Sequence, residues 1–245
     1  MKIEVQHLPD SVSIITKFLN SDYSVASPAT SEATENIPLL IFLHGSCERS
    51  SILTKLKSAP PFKYFNPQSE HPFVIVDLPC APNYARSKDA WQADDLEALF
   101  MHLKNEQPFD LSRVYLIGYS MGGYGTWLWG DSQPVRFAAL APHAGGFGAG
   151  CPKAVSPFLA NRAKCLASLP IWISHGDKDD VVPVERSQRM NSLLEAAGAK
   201  EVRLTMLVGK GHGITENMRS RELYDWLLSH SRENDNTALS QPPPK

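Results

Sequence analysis

The sequence predicts an α/β fold: a mostly parallel central sheet flanked by helices, without a large lid domain. Three observations carry this. Short apolar runs alternate with longer amphipathic stretches through most of the chain, the pattern of parallel strands with covering helices. One apolar run, Val114-Tyr115-Leu116-Ile117, enters Gly118-Tyr119-Ser120-Met121-Gly122 and leaves it in a helical pattern. The chain has 245 residues, 42% hydrophobic and 20% charged, which suits one large core. Residues 1–232 are therefore expected as a single domain, and the polar, proline-rich residues 233–245 as a disordered tail.

Taken in order, residues 11–19 read as an early strand, and residues 21–36, rich in Ser, Ala and Thr, as a loop. Residues 37–43 and 73–77 are buried strands. Residues 90–104 set Trp91, Leu96, Leu99, Phe100 and Leu103 at helical spacing. Asp94, Asp95 and Glu97 lie in its first half, where carboxylates favour a helix N-terminus. Residues 113–118 form a strand and 121–130 a helix, and further strands follow at 137–142, 170–175 and 202–207. A helix at 184–197 ends at Gly198, a C-cap residue. A last helix over 215–229 turns Met218, Leu223, Trp226 and Leu227 to the core.

Charge narrows the function. Lys and Arg number 24 and Asp and Glu 26, a net charge of −2, so no field draws the protein to nucleic acid or to anionic membranes. The apolar run at 37–43 is interrupted by Pro38 and is too short to span a bilayer, so no stable membrane insertion is expected. Met1-Lys2 leads into Ile-Glu-Val-Gln-His with no apolar signal region, which makes the cytoplasm the expected location. Cys47, Cys80, Cys151 and Cys165 contain no C-x-x-C spacing and read as free thiols.

The segment Gly118-Tyr119-Ser120-Met121-Gly122 is a G-x-S-x-G between a strand and a helix. A serine on such a turn projects its hydroxyl, and the crowding of the turn requires glycines on either side. The following helix directs free N–H groups and its positive end at the site. Ser120 is the candidate nucleophile. A serine hydroxyl needs a base, and the base an orienting acid. His212 lies between Gly211 and Gly213 after a strand and is the candidate base. Asp177, Asp179 and Asp180 share the loop after another strand, and spacing does not choose the acid among them.

Upstream, the strand at 37–43 ends in His44-Gly45-Ser46-Cys47-Glu48-Arg49. A turn of this kind supplies the second oxyanion donor, a backbone N–H. Ser46 N–H is assigned that role with Met121 N–H as its partner, and Cys47 N–H is the substitute for Ser46. His44 is expected to be structural. Cys47 has no helix N-terminus and no histidine at an obvious partner position, which argues against it as a nucleophile.

These residues resemble a known family. Leu43-His44-Gly45-Ser46-x-Glu48-Arg49, Gly118-Tyr119-Ser120-Met121-Gly122-Gly123-Tyr124-Gly125-Thr126-Trp127 and His175-Gly176-x-x-Asp179-x-Val181-Val182-Pro183 resemble the phospholipase/carboxylesterase branch of the α/β-hydrolases. Within it they are similar to the predicted-peptidase esterases, close to polyhydroxybutyrate-depolymerase-like and dienelactone hydrolases. Pro79-Cys80-Ala81-Pro82 and Trp91 fit the same group, and the resemblance spans residues 37–228. It implies the α/β-hydrolase fold, with Ser120 as nucleophile, Asp179 as acid and His212 as base. The pattern departs at Cys47 and Ser50, which stand where the family has glycines. If those glycines hold positive φ, the oxyanion loop here has another shape.

The resulting expectation is a serine hydrolase that cleaves carboxylic esters or thioesters through an acyl-enzyme. Peptide or acyl-protein thioester cleavage on the same triad is the nearest alternative, and a non-catalytic ligand-binding module the more distant one. No cofactor is expected. His44, His143, His175 and His212 lie near strand ends but show no H-E-x-x-H, so no metal is expected either. The partner is a small-molecule ester, and the oligomeric state is left open. Cys47, Trp91, Tyr119 and Phe147 are candidates for the substrate pocket. The segment at 145–167, with Phe147, Phe158 and Leu159, is expected to wall it at the C-terminal edge of the sheet, where ligands bind in open α/β folds.

Overall fold

A computed structural model describes residues 2–17, 19–28, 37–46, 60–65, 72–78, 91–106, 108–147 and 157–232. The strands are β1 (Lys2–His7), β2 (Asp22–Ser27), β3 (Pro38–Leu43), β4 (Val74–Leu78), β5 (Asp110–Tyr119), β6 (Ala139–His143), β7 (Ile171–Gly176) and β8 (Val202–Leu207). The helices are α1 (Asp10–Ser13), α2 (Pro60–Tyr64), α3 (Ala93–Glu106), α4 (Met121–Ser132), α5 (Pro157–Leu166), α6 (Glu185–Ala196) and α7 (Arg221–Leu228). Short 3₁₀ turns occupy Pro134–Arg136 and Asn217–Arg219.

The strands form one eight-stranded sheet in the order β1-β2-β4-β3-β5-β6-β7-β8. β1 and β2 pair antiparallel, as do β2 and β4, and every other neighbouring pair is parallel. Parallel strands joined by crossover helices bury both faces, and β3 is buried at all six positions. Alternation divides its residues between two cores. Leu39, Ile41 and Leu43 face Leu96, Phe100, Trp127 and Leu194 on one side. Leu40 and Phe42 face Phe62, Met218, Tyr224 and Leu227 on the other. No helix among the described residues is long and apolar enough to cross a membrane.

Three local expectations are corrected. Residues 11–19 are not a strand: α1 and a turn occupy residues 10–15, and Ile14 is 82% exposed. Their β-branched composition misled, because a strand needs a ladder of partners: among the described residues, 11–17 pair with no strand, and Leu19 makes only an isolated bridge. The first hairpin instead pairs Lys2 with Ser27 through His7 with Asp22, so part of the expected loop at 21–36 is β2. The last helix is also shorter than expected. Ser220 is extended (φ −82°, ψ 135°), and its hydroxyl caps α7 by accepting from Leu223 N–H. The segment at 145–167 contains helix α5, packed by Leu159, Ala163 and Leu166 into the core.

Candidate active site

The turn after β5 is built by close backbone contact. A Cβ on Gly118 would lie 2.1 Å from Gly122 O, and one on Gly122 would lie 1.8 Å from Leu43 O. Both positions therefore exclude any side chain, and α4 starts directly against the end of β3. Between them Ser120 has φ 54°, a conformation that costs a non-glycine residue of order 1–3 kcal/mol. It is held by its own backbone: Ser120 N–H donates to His143 O (2.9 Å), and Tyr124 N–H donates to Ser120 O (3.1 Å).

Ser120 Oγ lies 2.8 Å from His212 Nε2, and His212 Nδ1 lies 2.8 Å from Asp179 Oδ2. Asp179 Oδ1 accepts from Val181 N–H (2.9 Å) and Val182 N–H (2.8 Å). A carboxylate only accepts, so Nδ1 carries the proton toward Asp179 and Nε2 is left to accept from the serine hydroxyl. Burial pushes the Asp179 carboxyl up. The hydrogen bonds from His212 and from Val182 and Val181 N–H outweigh it and hold the group below its ordinary range. Of the three acids that spacing left open, Asp179 is the one against His212. Asp177 accepts from Gly209 N–H (2.7 Å), bracing the β8 turn, and Asp180 is exposed.

Other candidates fall around this chain. Tyr119 donates its hydroxyl to His212 O (2.7 Å), with its ring 5.3 Å from the imidazole. A Cβ on Gly45 would lie 3.4 Å from Ser120 Cβ, so the turn that carries Ser46 passes beside Ser120. Met121 opens α4, where the N–H groups have no acceptor within the helix. His44 is buried and its Nδ1–H donates to Gly45 O (2.7 Å). Trp91 is 3% exposed, set edge-on to His44 and against Gly125 of α4. Phe147 is buried and shares a cleft with Leu159, Arg186, Arg189 and Met190. Cys47 and Ser50, and the Pro79-Cys80-Ala81-Pro82 segment, lie outside the described residues.

The model of the dienelactone hydrolase family matches residues 80–239. The chain belongs to the dienelactone hydrolase family. The match takes in Ser120, Asp179 and His212, whereas the turn at His44-Gly45-Ser46 precedes it. Among relatives of this family member, the bifunctional acetylxylan esterase/xylanase XynS20E of Neocallimastix patriciarum is 28% identical over 165 residues, 63% of this chain and 21% of that protein. The chain thus spans about a fifth of that relative. A thermostable esterase structure superposes with a TM-score of 0.69 at 26% identity, covering 86% of this chain and 59% of that one. The fold is also that of a putative dienelactone hydrolase from Klebsiella pneumoniae, with a TM-score of 0.66 at 16% identity over 94% and 98% of the two chains. This is the α/β-hydrolase fold.

Three residues beside the Ser120–His212–Asp179 chain were given no part in the site by the sequence reading. His175 and Ser187 stand behind Asp179, and Arg186 lies over Tyr124, 5.8 Å from the ring centre, and against Gly146. His175 had a signal, since it opens the His-Gly-x-x-Asp motif. Ser187 and Arg186 had none, because neighbours from distant segments define their roles.

Proposed function

We propose that this dienelactone hydrolase family member is a carboxylic ester hydrolase that works through an acyl-enzyme on Ser120. The observation that carries the reading is the unbroken chain Ser120 Oγ–His212 Nε2, His212 Nδ1–Asp179 Oδ2, both links at 2.8 Å. As Ser120 Oγ attacks the ester carbonyl, His212 Nε2 takes its proton, and the ionised Asp179 stabilises the imidazolium. The tetrahedral oxyanion is received by the N–H groups of Ser46 and Met121, fixed dipoles that need no reorganisation. His212 then protonates the leaving alcohol or thiol. Water, activated by the same imidazole, releases the acid and restores Ser120.

The substrate is a small ester. The acetylxylan esterase/xylanase relative makes a short acyl group the first to test. Phe147 and its cleft, with Tyr119, Trp91 and Cys47, are proposed to shape the pocket. The free, exposed thiol of Cys165 fits a reducing, cytoplasmic setting.

Hydrolysis of p-nitrophenyl esters from acetate to palmitate tests the proposal, with Ser120→Ala alongside. A short-chain optimum is expected, with a fall in kcat of about 10⁶-fold in Ser120→Ala. Turnover that survives in Ser120→Ala would refute the acyl-enzyme. A wild type that neither turns over nor reacts with a fluorophosphonate would refute the enzyme reading.

A further inference from the structure

Asp179 faces two imidazoles. His175, near the end of β7, is completely buried, and its Nε2 lies 3.0 Å from Val182 O and 3.1 Å from Asp179 Oδ2. Both are acceptors, so Nε2 must carry a proton, which is directed at Val182 O and shared with Asp179 Oδ2. On the other side of the ring, Nδ1 lies 2.7 Å from Ser187 Oγ on α6, whose alternative acceptor, Gly145 O, is 3.4 Å away. Ser187 has one proton, and the shorter distance assigns it to Nδ1. That fixes His175 as the neutral Nε2–H tautomer. Burial, the largest influence, pushes its proton affinity below the ordinary range, and the Val182 carbonyl and Asp179 only partly offset it.

We infer that His175 is a positioning residue for the proposed hydrolysis: its Nε2–H, with the tautomer set by Ser187, is shared between Val182 O and Asp179 Oδ2 and so holds the Asp179 carboxylate and its loop on line with His212. This rests on the reading of Ser120, His212 and Asp179 given above. Oδ1 is already pinned by two backbone N–H groups, so Oδ2 is the oxygen whose direction decides how His212 sits. A neutral donor suits this place. It stabilises the carboxylate with a fixed dipole, whereas a second cation would repel the imidazolium that forms on His212 during attack. The titratable groups acting on His175 are Asp179 from the β7 loop and His212 from the β8 loop. From α6 the uncharged Ser187 faces it, and the guanidinium of neighbouring Arg186 lies over Tyr124.

The test measures kcat and KM for p-nitrophenyl acetate across pH in the full chain, with thermal melts, for wild type, His175→Phe, His175→Gln and Ser187→Ala. His175→Phe keeps a flat ring but no donor. It is expected to lower kcat about tenfold, the worth of one hydrogen bond to a charged group, with KM nearly unchanged. The acidic limb of kcat/KM should move to higher pH, because the Asp179 carboxylate loses a hydrogen bond that favours its charged form. His175→Gln, whose amide N–H can reach the Nε2 position, should restore most of both. A folded His175→Phe with wild-type kcat and pH profile overturns the inference, and so does a His175→Gln variant as impaired as His175→Phe. If His175→Phe does not fold, Ser187→Ala decides. A lower kcat with the same limb shift supports the role, and wild-type behaviour overturns it. Failure of the parent reading looks different, since wild type itself would be inert to ester and fluorophosphonate, and the inference would fall with it.

Discussion

His143 divides its work between backbone and side chain. Its carbonyl accepts Ser120 N–H and so supports the strained turn at Ser120. Its imidazole is fully buried, and neither ring nitrogen has a hydrogen-bond partner among the described residues. Burial alone pushes its pKa down from 6.5 to about 3. In the unfolded chain the same group takes up a proton near its ordinary value, so below that pH the unfolded state binds more protons. Stability should therefore fall as pH drops from about 6.5 toward about 4, by up to about 1.4 kcal/mol per pH unit from this residue. Urea unfolding of wild type and His143→Leu across that range checks it, and the variant should show the flatter dependence. Asp179, Asp110 and Glu201, whose folded pKa values are lowered, act in the same direction but at lower pH. Their stabilisation is lost only as pH falls through those lowered values.

Among the elements, the unit that matters most is β3, β5 and α4 meeting at the nucleophile turn. Because a Cβ on Gly122 would lie 1.8 Å from Leu43 O, the obstacle is backbone rather than a side chain able to rotate. Gly122→Ala should destabilise the protein by about 3 kcal/mol or more, seen as a large drop in Tm or loss of soluble protein. This unit was legible in the sequence because strand, glycines, serine and helix are contiguous there. Val202–Leu207 and the capping Gly198 (φ +81°) were legible for similarly local reasons. The N-terminal hairpin was not. β2 is Asp-Tyr-Ser-Val-Ala-Ser, with four positions buried by strands on either side rather than by its own hydrophobicity. α5 was hidden in a segment that the sequence reading took only as a wall of the substrate pocket. The choice of Asp179 as the proposed acid came only through the resemblance, since three aspartates within four residues look alike until His212 is folded against one of them.

At the scale of the whole molecule, the three residues of the proposed triad come from the C-terminal ends of β5, β7 and β8, so the site exists only when distant parts of the sheet are assembled. The clean alternation of runs along the chain was enough to read the parallel sheet, but it held no information on strand order. The placement of β4 between β2 and β3 and the antiparallel β1–β2 margin are decided by long-range pairing.

Among the described residues β8 pairs with β7 alone and is nowhere fully buried, yet His212 hangs from the turn that follows it. The proposed general base is thus mounted on the outermost plank of the sheet, while the proposed nucleophile sits near its centre. Peripheral strands open at a lower free energy than central ones, so the chemistry should be lost by fraying before the core melts. In a urea titration, esterase activity should vanish at a lower concentration than far-UV circular dichroism, and coincident midpoints would mean that the margin and the centre of the sheet come apart as one cooperative unit.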